Sequence, residues 1–272
     1  LKKYLSRAMF NYIANRPDSA VVRKVVGVAN RIRKAQFNSS NHDIYTNGER
    51  DVLQACVNQK ESGRPFVIFD VGANEGQWAE VALSTCPDCQ LHAFEIVPST
   101  RAELEKAIGG RPNVLINDAG LSDKNEEVEL QYYPGNSTGT SAYELPWNCK
   151  PELLIAECQR GDDYVKRNGI DHIDFLKIDV EGMDYKVISG FLETIASGRV
   201  DAIQFEYNAA AAVSRCLLKD YYDLLEAHGY QLGRIFPNRV EFKEYNVFND
   251  ENFLQCNFFA AREELTAKIR WA

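Results

Sequence analysis

Nowhere in the 272 residues is there an apolar run approaching the ~20 needed to cross a bilayer, so no integral membrane segment is expected. No signal-peptide pattern opens the chain. It begins at Leu1 rather than Met, which leaves room for residues upstream. Cys86 and Cys89 form a single C-x-x-C with no second pair to join it. A closed zinc site usually takes four ligands from two such knuckles, so no metal is expected. The seven cysteines are odd in number and scattered. That fits reduced thiols and a cytoplasmic location better than a disulfide framework. Excess positive charge is also absent: 31 Lys and Arg stand against 39 Asp and Glu, a net charge of −8. Such a balance gives no global pull toward nucleic acid or an anionic membrane. Internal repeats and low-complexity tracts are missing as well.

What is present is an ordinary globular composition, 45% hydrophobic and 26% charged. The length suits one large α/β domain or two small ones. Charge is unevenly placed. Residues 1–40 carry nine basic side chains and one acid, Asp18, a net of +8, so the remainder is −16. Val21, Val22, Val25, Val26, Val28 and Ile32 recur at helical spacing there. Pro17 divides this helix from an earlier one, and FNSSNHDIYTNG (37–48) is a turn-rich linker. The chain thus divides into a basic helical extension with linker, 1–48, and a main domain, 49–272. Three uses of the extension are open: an anionic membrane surface, an acidic partner, or packing on the main domain of this chain or a second copy. Val and Ala insert weakly into lipid, which favours packing and a homo-oligomer through the N-terminal helices.

From a helix at about 49–59 onward, short apolar runs alternate with helical stretches. Strands are predicted at 66–71, 90–94, 114–116, 174–178, 200–205, 230–235 and 257–260, with 127–133 alternating as an antiparallel strand does. Helices are predicted at 77–84, 100–108, 162–168, 185–196 and 217–228. Strands separated by helices imply a doubly wound, mostly parallel sheet with helices on both faces.

The sharpest segment is FVIFDVGANEGQW (66–78), an apolar strand ending in Asp70 and Gly72. Ligands of such sheets sit beyond the carboxyl ends of the strands, and Gly72 lets the backbone approach closely. A dinucleotide site wants G-x-G-x-x-G, but Asn74 and Gln77 occupy glycine positions. An acid-rich strand end suits the ammonium group of S-adenosylmethionine better than a pyrophosphate. Glu95 ends the next strand and can accept from ribose hydroxyls, and Asp118 ends the third, within reach of an adenine amino group. In DFLKIDVEG (174–182), alternation puts Lys177 and Asp179 on one side of the sheet. A buried Lys needs a partner, and Asp179 is the natural one. Asp179 and Glu181 overhang the crevice, with Glu206 and Asn208 at the adjacent tip.

These segments resemble the FkbM family of methyltransferases from about Tyr45 to Ala260, through GERDVL (48–53), FDVGANEGQW (69–78), AFEIVP (93–98), GTSAY (139–143), DDYVKRNGIDHIDFLKIDVEG (162–182) and NFFAAR (257–262). Two departures stand out: Phe-Glu-Ile-Val-Pro in place of Phe-Glu-Pro, and Asp184-Tyr185 after the DVEG element where Ala-Glu is frequent. The resemblance implies a Rossmann-like class I sheet and S-adenosylmethionine-dependent O-methylation of a small-molecule or glycan hydroxyl. It implies contacts to the methionine part from Asp70, Gly72 and Asn74, to ribose from Glu95 with Ile96, and to adenine from Asp118 and Ala119. Asp179 and Glu181 would lie at the methyl and acceptor. Asp179 is the first candidate for general base and Glu206 the second; pairing with Lys177 is the structural alternative. The four His are weak candidates, and PGNSTGTS (134–141) suits a substrate loop. Rival readings are a non-catalytic cofactor-binding or interaction module on the same fold, and an NAD-dependent oxidoreductase.

Overall fold

The computed structural model describes residues 2–60, 63–135, 139–144 and 150–269. Two helices come first, α1 (Lys2–Asn15) and α2 (Ala20–Gln36). Pro17 lies between them, where a helix interior would need the N–H it lacks. Ser19 caps α2 by accepting from the Val22 N–H. The expected packing of these helices on the chain's own acidic domain does not occur: from Val21 to Gln36 only Val22 is buried. The body's buried apolar side chains are gathered into two cores that the α2 face does not join. Asn38 and Ser40, both in the left-handed region at φ 50 and 58, turn the chain out of α2 into a strap, residues 37–48. Asn38 pins the strap by donating to the carbonyls of Asn47 and Ile235.

The body begins with α3 (Glu49–Val57), β1 (Val67–Val71), α4 (Gln77–Thr85), β2 (Gln90–Phe94), α5 (Pro98–Ile108) and β3 (Val114–Asn117). An excursion follows in β4 (Gly120–Ser122), β5 (Glu126–Tyr132) and β6 (Glu152–Arg160). The chain returns through α6 (Gly161–Arg167), β7 (Ile173–Ile178), α7 (Asp184–Gly190), α8 (Leu192–Ala196) and β8 (Val200–Tyr207). It ends with α9 (Ala210–Ser214), α10 (Leu218–Glu226), β9 (Tyr230–Phe236), β10 (Arg239–Phe242), α11 (Val247–Asp250), β11 (Cys256–Arg262) and α12 (Glu263–Thr266).

Eight strands form the main sheet in the order β10-β9-β11-β8-β7-β1-β2-β3. The five from β3 to β8 are parallel, and β11 runs antiparallel between β8 and β9. Strand order reverses between β1 and β7, the switch point where such sheets open a crevice. Period-2 alternation sorts the cores: Val67, Phe69, Val71, Leu176 and Ile178 pack under α6, α7, α8 and α10, while Phe66, Ile68 and Phe175 pack with α3, α4 and α5. Burial on both faces explains why these strands read as continuous apolar runs.

The fold is therefore the doubly wound α/β class expected, with differences in detail. The helix expected at 185–196 is broken at Phe191, because Gly190 presses against β4: a Cβ there would lie 2.1 Å from the Ser122 carbonyl. The strand at Glu152–Arg160 was not foreseen. It joins β4 and β5 in a separate three-stranded flap, leaving Leu153 and Ile155 outward. Hairpin strand β10 also went unread. No helix of the described residues is long and apolar enough to cross a membrane.

Candidate active site

The crevice begins where β1 and β7 part. Gly72 has φ 81, and a Cβ on it would lie 2.0 Å from the Asp179 carbonyl. Only glycine fits this turn. Two adjoining clefts open from that point, of about 850 and 950 Å³, sharing Gly72, Asn74 and Asp179. The first runs beneath the flap. Its walls include Glu95, Ile96, Leu121, Thr140, Val180 and Met183. The second runs under the strap and is richer in amides, with Asn38, Asn41, Asn47, Trp78, Gln255 and Asn257 in its walls.

Glu95 occupies the tip of β2, buried. Its Oε2 accepts from the Asn74 N–H at 2.9 Å and its Oε1 from the Val97 N–H at 2.8 Å. Burial pushes its carboxyl up, and these two N–H donors offset part of that rise. Each oxygen keeps accepting capacity. The Asn74 N–H is thereby committed within the protein, unlike the free amides of a phosphate-binding turn, which counts against a dinucleotide. Ile96 lines the same cleft. Asp118 is exposed and Ala119 half-buried; both border Gly120 at the rim, and neither lines either cleft.

Asp70 is placed differently from the expectation. It is fully buried, lines neither cleft, and its Oδ1 stands 3.0 Å from Lys177 Nζ. Lys177 also lies 3.7 Å from Asp179 and donates to the Gly72 carbonyl at 3.2 Å. Burial by itself would lower the Lys177 pKa; Asp70, then Asp179, outweigh it and hold the ammonium above its ordinary value. The nearer partner of Lys177 is thus Asp70 rather than Asp179. The two stand opposite one another in the β1–β7 register, and pairing of a buried cation follows from that placement.

Asp179 remains partly exposed and reaches both clefts. Carboxylate oxygens of Asp179, Glu181 and Glu206 all come within 4.8 Å of one another. Asn208 bridges two of them, donating to Glu206 at 2.5 Å and Glu181 at 3.1 Å, and Gln255 donates to Glu206 at 2.8 Å. Burial, then Asp179 and Asp184, pushes Glu181 up to about 8. Burial, then Asp179, pushes Asp184 to about 7. Glu206 is also raised well above the carboxylate range, by burial and then by Asp179 and Glu181. Three acids so close could accept a divalent cation, although no metal was expected from sequence.

Gln255 and Ser141 were missed as site residues. Ser141 donates to the Glu181 carbonyl at 2.7 Å and so ties the 139–143 loop to this tip, where Glu181 holds φ 49. The GTSAY segment was the available signal for it. Nothing in the sequence pointed to Gln255, which arrives from the turn before β11. Residues 136–138 of the 134–141 loop lie outside the described residues. Among the histidines, His92 is buried against Tyr164, with burial lowering it to about 4, and His42 lines the amide-rich cleft. Cys86 and Cys89 are buried thiols at the opposite end of β2 from the crevice.

Residues 70–232 match the Methyltransferase FkbM domain family, more than half of the chain, and the chain belongs to that family. A 2-O-methyltransferase, NoeI, of Sinorhizobium fredii is 28% identical over 191 residues, covering 64% of this chain and 76% of the relative. A hexuronic acid methyltransferase, AglP, of Haloferax volcanii is 24% identical over 151 residues, covering 55% of this chain and 59% of the relative. The 31-O-demethyl-FK506 methyltransferase FkbM of Streptomyces tacrolimicus is 28% identical over 153 residues, covering 46% of this chain and 58% of the relative. The chain spans less than two thirds of the latter two relatives.

Proposed function

We propose that this chain transfers the methyl group of S-adenosylmethionine to a hydroxyl oxygen of a sugar or natural product. The observation that carries the reading is the crevice at the β1–β7 switch, where a Cβ-free turn, the Glu95 carboxylate and three clustered acids face two adjoining clefts. The residues present fit the cofactor. The flap-side cleft offers apolar walls for an adenine, with Glu95 and Ile96 beside its ribose and Asp118 and Ala119 at the rim. Gly72 and Asn74 would hold the methionine part, with Asp179 beside the transferable methyl. Asp70 would act through Lys177, by fixing the floor of the site. When bound, the cofactor supplies an electrophilic methyl on a sulfonium.

The chain's own work is then alignment and proton removal. Holding acceptor oxygen, methyl and sulfur in line supplies most of the rate gain. Asp179 reaches both clefts, and its carboxylate can take the acceptor's proton. Glu206 and Glu181, raised and bridged by Asn208, would shape the acceptor side. The relatives' names, a 2-O-methyltransferase and a hexuronic acid methyltransferase, favour a hydroxylated ring as acceptor, and amide and acid side chains suit hydroxyl groups. The division into an extension, 1–48, and a catalytic domain, 49–272, belongs to the same reading.

The test is transfer of labelled methyl from S-adenosylmethionine to a panel of hydroxylated acceptors, including uronic acids, with the product examined for an alkali-stable ether. Cofactor binding by calorimetry without transfer to any acceptor would favour the non-catalytic module. Binding of NAD in place of S-adenosylmethionine would overturn the reading.

A further inference from the structure

The two N-terminal helices carry a surface that the methyl-transfer reading does not use. On α2, Val21, Val25, Val28 and Ile32 follow one another at spacings of four, three and four, so they share one face. On α1, Met9 and Phe10 stand out in solvent. These six side chains are 54–70% exposed. At 3.6 residues per turn Lys24 and Arg31 flank this face on one side and Arg33 on the other, while Arg23 and Lys34 lie toward the opposite side of α2. An isolated helix of this length is marginal in water, and a valine-rich one more so. The apolar face therefore calls for a covering surface.

Charge selects among the occupants. The segment 1–40 is +8, and the rest of the chain is −16. A second copy paired helix to helix along this face would set one +8 segment beside another, and like charges repel; docking on a copy's acidic body is distinguished by oligomeric state in the test. An anionic bilayer does the opposite. Each Lys or Arg near such a surface contributes roughly 1 kcal/mol of attraction, while the acidic body is held off by the same field. Valine inserts weakly, but exposed Phe10 and Met9 on α1 add larger apolar groups to the segment, and buried apolar area plus cation count together set interfacial affinity.

We infer that α1 and α2 dock this protein on an anionic membrane surface, with the Val21–Val25–Val28–Ile32 face and Phe10 toward the acyl boundary and the flanking Arg and Lys among the headgroups. The chain remains peripheral. The strap that follows α2 forms a wall of the amide-rich cleft through Asn38, Asn41 and His42, so the docked segment adjoins the mouth of the site.

The test is sedimentation of the full chain with vesicles of phosphatidylglycerol and phosphatidylcholine, and with phosphatidylcholine alone. Binding is expected only to the anionic vesicles, and should weaken with added salt. Lys24→Glu with Arg31→Glu, and separately Phe10→Asp with Ile32→Asp, should each weaken it at least ~tenfold. All four positions are exposed, so the fold is not at stake, and circular dichroism would verify it. No binding to anionic vesicles would overturn the inference. So would binding that survives Phe10→Asp with Ile32→Asp, which would leave the apolar face unused. A concentration-dependent dimer in light scattering, dissolved by Ile32→Asp and indifferent to vesicles, would assign the face to a second copy instead.

Discussion

Lys177 reaches from β7 to Asp70 on β1, Nζ to Oδ1 at 3.0 Å, and both side chains are buried. Removing one member of a buried pair leaves the other as an uncompensated charge, at a cost of about 3–5 kcal/mol. Asp70→Asn should therefore lower unfolding stability by about 3 kcal/mol, the low end because Asp179 still lies 3.7 Å away. Asp179→Asn should cost much less, since Asp70 remains. Equal losses in denaturant titration would mean the two acids share Lys177 evenly.

Asp179→Asn bears on chemistry in a different way. It keeps size while removing basicity, so turnover should fall ~100-fold with cofactor affinity little changed. Turnover is also expected to survive a chelator, because amide donors from Asn208 and Gln255 already engage the acids beside it. A parallel collapse of cofactor binding, or loss of activity in EDTA restored by a divalent cation, would replace the base assignment with a structural or metal-holding role.

Glu95→Gln turns one acceptor oxygen into a donor that must face the Asn74 or Val97 N–H. Affinity for S-adenosylhomocysteine in calorimetry should weaken at least ~tenfold. Unchanged affinity would remove Glu95 from the ribose contact.

Glu181 and Asp184 favour their protonated forms in the folded chain, at about 8 and about 7. The stability they contribute is complete below their ordinary values of 4.5 and 3.8 and is lost as pH rises through about 7 and then about 8. The melting temperature should therefore fall across neutral pH. Glu181→Gln should flatten the upper part of that fall. A wild-type midpoint that rises over this range would contradict the burial of these acids.

Gly72→Ala should be among the most damaging single changes, because its Cβ meets a backbone carbonyl at 2.0 Å and φ is 81. A loss above ~4 kcal/mol is expected. Gly110→Ala provides the control: its φ is 75 with nothing within 4 Å, so only the left-handed strain of ~1–2 kcal/mol applies. Similar melting curves for the two variants would show that the close approach at Gly72 is unimportant.

Much of this was legible because the inner parallel strands β2, β1, β7 and β8 are buried on both faces and largely apolar. Asp70, Gly72, Glu95 and Asp179 could be placed at strand ends for the same reason. The partner of Lys177 was not legible. Alternation within one strand suggests Asp179, two residues on, whereas the nearer partner stands across the ladder and depends on strand order. Strand β6 was hidden because Leu153 and Ile155 face outward, so its pattern does not announce a core. The standing-off of α2 could not be read either, since helical spacing of valines states that a face exists and not what covers it.

Strand β11 lies inside the sheet although it follows every other described strand in sequence. During synthesis the five parallel strands emerge well before it, and the β9–β10 hairpin lacks its native neighbour until residues 256–262 leave the ribosome. A nascent chain halted before Gln255 would hold an open β8 edge and a stray hairpin, with no amide from Gln255 on Glu206. Completion of the core and completion of the acid cluster thus await the same stretch, residues 255–262, and a product stopped before it would be both unfinished as a sheet and unarmed as a site.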